Sequence, residues 1–241
     1  GRPRLFFAVT SGSMDSMVNH YTAAKRLRSD DAYSPDGRAG MRPDYCTITY
    51  CNILKKLYPD VPIVIGGIEA SMRRLTHYDY WSDRLMPSIL VDSQADILVY
   101  GMGEKQIVEI AKRLDSIPLQ SDNVVSNRLE SIPQIAYISN EATLQPGSEV
   151  IHLASHEAAV KSKRVHAENF RLIETESNKI HAATIVQPVG ERYIVVNPPY
   201  PTMSTEELDA IYNLPFQYHP HPKYKDKQIP AYEMIRFSVC M

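Results

Sequence analysis

Three stretches of the chain are apolar at consecutive positions and close on small residues. Residues 4–12 read RLFFAVTSG, residues 60–67 read DVPIVIGG and residues 95–101 read ADILVYG. A short unbroken apolar run ended by glycine predicts a strand buried on both faces of a parallel sheet. After the third run, Gly103 leads into residues 104–114. There Ile107, Val108, Ile110, Ala111 and Leu114 form one stripe, which predicts an amphipathic helix. Residues 43–58 fit two patterns. TITY alone would pass as a strand, but apolar positions recur every three to four residues and Pro43 suits a first turn, so the spacing favours a helix. Strand, glycine turn and helix in alternation predict an α/β fold with a mostly parallel, Rossmann-like sheet over residues 1–150.

The pattern changes after a further apolar run at residues 135–138. Residues 155–176 read as one long charged helix with Ser155 as its N-cap. Residues 183–187 and 192–196 flank Pro188, Val189 and Gly190 and read as a hairpin. Ser204 and Glu207 have capping-box spacing and open a short helix through Tyr212. Seven of the 17 prolines lie between residues 198 and 230, which predicts a stiff connector between packed bodies. Residues 151–232 therefore form a helix, hairpin and connector segment. In the last stretch Ile235, Phe237, Val239 and Met241 alternate with Arg236, Ser238 and Cys240, so residues 233–241 read as a strand.

Composition narrows the functional classes. A net charge of −2 gives no basic field for nucleic acid, and no run of 18 apolar residues offers a membrane span. The opening Gly1, Arg2, Pro3 and Arg4 lack a signal-peptide apolar segment and an initiator methionine, so the front reads as cut or processed. The three cysteines, Cys46, Cys51 and Cys240, make no disulfide framework and point to a reducing cytoplasm. Cys46 and Cys51 lack partners that would complete a metal set, and read as buried thiols.

Candidate chemistry concentrates in residues 66–85, GGIEASMRRLTHYDYWSDRL, which begin where a buried strand ends. Glu69, Arg73, Arg74, His77, Tyr78 and Asp79 are the ligand- or substrate-facing candidates there. Three readings stand side by side: a surface ion pair between Glu69 and Arg73, a domain interface rich in Tyr, Trp and Arg, and a ligand site. Asp15, Asn19 and Tyr21 follow the first strand and should meet the same edge if the strands are parallel. Asp30 and Asp31 offer a cation two acids but no complete ligand set. G-x-G at residues 101–103 lacks the rest of a dinucleotide fingerprint, and His219 with His221 lacks further metal ligands.

Several long blocks resemble the YgiQ-type radical SAM proteins. They include SDDAYSP, DVPIVIGGIEASMRRLTHYDYWSDRL, NPPYPTMSTEELDAIYNLPF, HPKY and IPAYEMIRFSV, in order along nearly the whole chain. In that family the segment resembling IPAYEMIRFSV leads into a C-x3-C-x2-C loop, whose thiolates hold a [4Fe–4S] cluster that binds S-adenosylmethionine. The resemblance implies that residues 235–240 are the first strand of a radical SAM barrel, that the barrel and cluster ligands lie outside this chain, and that Cys240 is no ligand. It also implies missing first strands of a domain similar to cobalamin-binding modules. The D-x-H-x-x-G motif is absent, which argues against cobalamin. The implied function is reductive cleavage of S-adenosylmethionine by the full-length protein, on a substrate the resemblance does not specify. The alternatives are a binding module without chemistry of its own and a purely structural support.

Overall fold

A computed structural model describes residues 1–116, 129–141 and 149–238. The three unbroken apolar runs form β1 (Phe7–Val9), β2 (Ile63–Ile65) and β5 (Ile97–Val99), adjacent and parallel. The sheet continues through β6 (Ile135–Ser139), β9 (Arg192–Val196), β8 (Thr184–Val189) and β7 (Val150–His152), giving seven strands in the order β1-β2-β5-β6-β9-β8-β7. β6 is antiparallel to β5 and to β9, β8 is antiparallel to β9, and β7 is parallel to β8. The α/β class with a parallel first half is thus the observed fold, and the same sheet runs on past residue 150 through the hairpin strands.

Alternation along each strand divides the core into two faces. Ile63, Ile65 and Leu98 face α2 (Cys46–Leu57), α3 (Gly67–Met72) and α4 (Ile89–Ser93). Val64, Ile97 and Val99 face α5 (Glu104–Asp115), whose Ile107, Ile110 and Leu114 supply the stripe, while Val108 of the expected set is half exposed. Residues 43–58 are helical, but the helix starts at Cys46, because Tyr45 is left-handed at φ 48°. Before it lie α1 (Ser16–His20) and a 3-10 turn, Pro35–Gly37.

Three expectations need correction. The long helix at residues 155–176 is two, α6 (His156–Lys161) and α7 (Lys163–Ser177). Ser162 is extended at φ −145° and its hydroxyl accepts from the Val165 N–H, so a second N-cap interrupts the first helix. The hairpin turn is Gly190 and Glu191 rather than Pro188 to Gly190. Pro188 pairs with Tyr193 and lies past the end of β7, where its missing N–H costs no ladder bond. Last, residues 230–235 are helical: after α8 (Thr205–Tyr212) and a 3-10 turn, Pro222–Tyr224, comes α9 (Pro230–Ile235), and residues 236 and 237 continue as turn. Pro230 sits in the first turn, where its ring presets φ. Among the described residues no strand lies alongside, and a helix satisfies its backbone internally where a lone strand does not. Residues 239–241, including Cys240, lie outside the described residues.

Candidate functional site at the carboxyl edge

Because β1, β2 and β5 are parallel, the chain leaves all three at one edge. Residues 10–45 follow β1, residues 66–88 follow β2 and residues 100–103 follow β5. Gly67 lets the first two turns meet: its φ is +81°, and a Cβ there would clash with Thr10 Oγ1.

Asp15 caps α1, its Oδ1 accepting from the N–H groups of Met17 at 2.9 Å and Val18 at 3.2 Å. Its other oxygen pairs with Arg73 Nη1, and the same nitrogen donates to the Glu69 carbonyl at 3.3 Å. Of the three readings of this block, the Glu69–Arg73 side-chain ion pair does not form. Glu69 is 1 % exposed and turns inward. Its Oε2 accepts from the Ser16 N–H at 2.8 Å and its Oε1 from the Thr47 N–H at 3.0 Å. Ser16 is the first residue of α1 and Thr47 the second of α2, so one carboxyl group closes two helix N-termini, where negative charge is favoured. Ser16 Oγ accepts from the Cys46 N–H at 3.2 Å. Tyr45, the N-cap of α2, makes no side-chain bond to the helix itself, so groups remote in sequence cap it.

Around this centre every buried acid has its partner. Asp79 Oδ2 accepts from Tyr45 Oη at 2.8 Å and from the Ser82 N–H at 2.8 Å. Burial pushes the Asp79 carboxyl up, but the Ser82 and Tyr45 bonds outweigh it and hold it below the usual range. Asp31 Oδ2 accepts from Ser34 Oγ at 2.6 Å and Arg42 Nη2 at 2.9 Å. Here too burial acts upward and loses: Ser34, the neighbouring Asn19 amide, Arg42 and the Tyr33 N–H bring the carboxyl down to about 2. Asp31 is therefore committed to Arg42, which also ties it to the Ser11 carbonyl at 2.9 Å, and is not held open for a cation.

The outer layer is aromatic. Asp44 accepts from Tyr21 Oη at 2.7 Å and bonds His20 Nδ1 at 2.8 Å. The Tyr21 ring lies 5.4 Å from Trp81, which lies 5.2 Å from Tyr80, and the Lys25 ammonium sits 4.7 Å over Tyr80. Tyr80 and Tyr78 are about half exposed, at 46 % and 51 %. They belong to a small hairpin, β3 (His77–Asp79) and β4 (Arg84–Met86), that the polar sequence concealed.

The structure thus brings Asp15, Glu69 and Arg73 into one buried network, with Asp79 bonded to Tyr45 at its border and Asn19 and Tyr21 on α1 and just after it. Arg74 does not join them: it donates to the Ser71 carbonyl at 2.7 Å and stacks 5.1 Å over Tyr100. Tyr78 points to Asp83 at 2.5 Å on the outer face of the hairpin. His77 bonds the Leu75 carbonyl at 3.1 Å, and burial lowers its imidazole to about 4, so it is neutral at pH 7. Sequence reasoning missed Ser16, Arg42, Asp44 and Tyr45. Arg42, Asp44 and Tyr45 flank Pro43 in a loop, which was the only local signal. His219 and His221 serve local bonds, to Tyr232 Oη at 2.7 Å and from the Lys223 N–H at 3.2 Å.

Among the described residues no group of three or more His, Cys, Asp or Glu is placed to hold a metal ion, and no helix is long and apolar enough to cross a membrane. A sequence profile described as Radical SAM N-terminal matches residues 1–238. The chain belongs to the Radical SAM N-terminal family. It is 56 % identical over 244 residues to a UPF0313 protein of Bacteroides thetaiotaomicron, covering 99 % of this chain and 39 % of that protein. A UPF0313 protein of Geobacter sulfurreducens is 48 % identical over 240 residues, and one of Bradyrhizobium diazoefficiens 44 % over 251, each again with 99 % of this chain covered, and with 38 % and 37 % of the relatives. The chain spans 37–39 % of the length of these curated relatives. No solved structure matches.

Radical SAM chemistry implies an iron–sulfur cluster, which needs three or four thiolates. The Radical SAM N-terminal domain offers two described thiols, Cys46 and Cys51, both on α2 and fully buried. Burial pushes the Cys51 thiol up to about 12 and raises that of Cys46, whose Sγ lies 3.0 Å from the Pro43 carbonyl. Buried protonated thiols on one helix do not fit a cluster.

Proposed function

We propose that this chain is the N-terminal domain of a radical SAM enzyme whose remaining polypeptide forms the barrel and holds the [4Fe–4S] cluster and S-adenosylmethionine. The domain itself supplies architecture and a surface, not redox chemistry. The observation that carries this reading is the family match over residues 1–238 in a chain that spans little more than a third of its relatives. The free, buried state of Cys46 and Cys51 supports placing it in a reducing cytoplasm. The half-exposed Tyr78 and Tyr80, with Tyr21 and Trp81 beside them, share the carboxyl edge with the exposed Asp30, Asp36 and Asp83, so a substrate or domain lying there would meet both rings and carboxylates.

The test is anaerobic reconstitution of a full-length family member and of this chain alone. The full-length protein is expected to bind iron and sulfide and cleave S-adenosylmethionine under reduction, and this chain to do neither. Stoichiometric iron and sulfide in the chain, lost on Cys46→Ala or Cys51→Ala, would overturn the assignment.

A further inference from the structure

Residues 201–238 contain two helices and a 3-10 turn but no buried residue. Their large apolar side chains face outward: Tyr212 61 %, Tyr218 71 %, Met234 79 % and Phe237 84 % exposed. Helices of eight and six residues, α8 and α9, fall well short of the ~12–15 that an isolated helix needs to be even marginal in water. Such elements persist when an apolar partner covers them.

The two anchors of this segment show where that partner sits. Near its start, Tyr200 N–H donates to Gln134 Oε1 at 3.1 Å, and Gln134 holds the Tyr100 and Met102 carbonyls at 2.8 Å. Glu207 of α8 pairs with Lys105 at 2.7 Å. Both contacts lie just past the carboxyl end of β5. At the far end, the chain returns to the loop that follows β1. Asp36 accepts from Lys227 Nζ at 2.8 Å, the Asp36 N–H donates to the Gln228 carbonyl at 2.6 Å, and the Ala231 N–H donates to the Ala32 carbonyl at 2.8 Å. The segment is therefore pinned at both limits of the β1-β2-β5 carboxyl edge.

We propose that residues 201–238 are a docking surface for the rest of the same polypeptide, which seats over this carboxyl edge. The occupant follows from length: relatives carry well over half of their chain outside the matched region. The Asp36 clasp is the positioning device, because it fixes where the segment ends relative to the edge. This inference rests on the reading of the chain as one domain of a larger enzyme, but its test needs neither cluster nor cofactor.

The experiment is hydrogen–deuterium exchange on the full-length protein, as isolated, with its mass measured by light scattering. Amides of α8 and α9 are expected to exchange at least roughly tenfold slower than an unstructured peptide while the protein is monomeric. Asp36→Ala is expected to speed exchange at 227–235 and leave β2 and β5 unchanged, and Lys227→Ala, which removes the ion pair from the other side, is expected to do the same. Coil-like exchange at α8 and α9 in the full-length protein overturns the proposal. Protection that rises with protein concentration also overturns it, by making a second copy the occupant. Protection without S-adenosylmethionine cleavage would keep the docking surface and remove the enzymatic reading.

Discussion

Glu69 is the residue on which the carboxyl edge turns. Replacing it with glutamine keeps the volume, so no cavity forms. The amide offers one carbonyl oxygen and one NH2, however it is placed. Of the two backbone donors at 2.8 and 3.0 Å, Ser16 and Thr47, one must then face another donor. A buried N–H left without an acceptor costs about 1–3 kcal/mol, and bonds to charged acceptors fall at the upper end of that range. Glu69→Gln is therefore expected to lower stability by about 2 kcal/mol, with part of that from the lost helix-terminus charge. Glu69→Ala orphans both donors and leaves a void, and is expected to cost about 4 kcal/mol.

Urea unfolding followed by far-ultraviolet circular dichroism measures the global change. The fluorescence of Trp81, the one tryptophan in the chain, reports on the edge itself, because its ring stands 5.4 Å from Tyr21 just past the end of α1. If Glu69 ties two helices to the edge, the fluorescence transition of Glu69→Ala should move at least as far as the dichroism transition. The reasoning fails if both variants lie within about 1 kcal/mol of the parent. It also fails if glutamine costs as much as alanine, since hydrogen-bond count would then not govern the loss.

Asp31 titrates at about 2 when folded against an ordinary 3.8, so the unfolded chain binds more protons between those values and stability falls as pH drops through that window. This is worth about 2 kcal/mol, and Asp31→Asn should flatten the acid limb of a stability–pH curve between pH 4 and 2. His77 is lowered from 6.5 to about 4, so the unfolded state again takes the proton first and stability declines on acidification from pH 6.5 to 4. Its ring signals in nuclear magnetic resonance should titrate near 4; a midpoint near 6.5 would refute the burial argument. At pH 8, Cys51, pushed to about 12, carries about a thousandfold less thiolate than an ordinary thiol at 9.0, so native alkylation of its peptide should be negligible and appear only in urea.

The strands legible in the sequence were those buried on both faces. β2 and β5 read as unbroken apolar runs because neither face meets water, β1 reads as one although Ala8 is exposed at the sheet edge, and α5 reads as a stripe because one face meets water. β7 escaped notice because its three residues, Val150 to His152, are only partly covered and carry no repeat. β3 and β4 hid in the polar block because their side chains answer to Asp83, Tyr45 and solvent rather than to the core. The site was half legible for a different reason. Residues 66–85 and 15–21 could be assigned to one edge from strand direction alone. What Glu69 does there could not, because its partners are backbone amides, which carry no residue identity. The i,i+4 spacing offers Glu69 as one partner for Arg73, yet the carboxylate it meets is Asp15, 58 residues distant. Residues 233–238 misled because alternation implies a strand only if a neighbouring strand exists to receive it.

A general base must reach a proton on its substrate. Glu69, Asp15, Asp31 and Asp79 are 1 %, 6 %, 2 % and 3 % exposed, and each is occupied by internal donors. Substituting them should therefore impair activity only through stability: at a temperature corrected for the lower melting point, the residual folded protein should work normally. The exposed rings should behave in the opposite way. Tyr218 and Phe237, 71 % and 84 % exposed, have little folded-state burial to lose, so Tyr218→Ser and Phe237→Ser should change the melting temperature of the isolated domain by only a degree or two, roughly what a surface substitution within ±0.5 kcal/mol allows. In the full-length protein they should weaken whatever meets this edge, and activity should fall while the domain stays folded. If instead Asp15→Asn or Glu69→Gln abolished activity in protein that remained fully folded, the network would be part of the chemistry, and the division between a saturated frame and a working surface would be wrong.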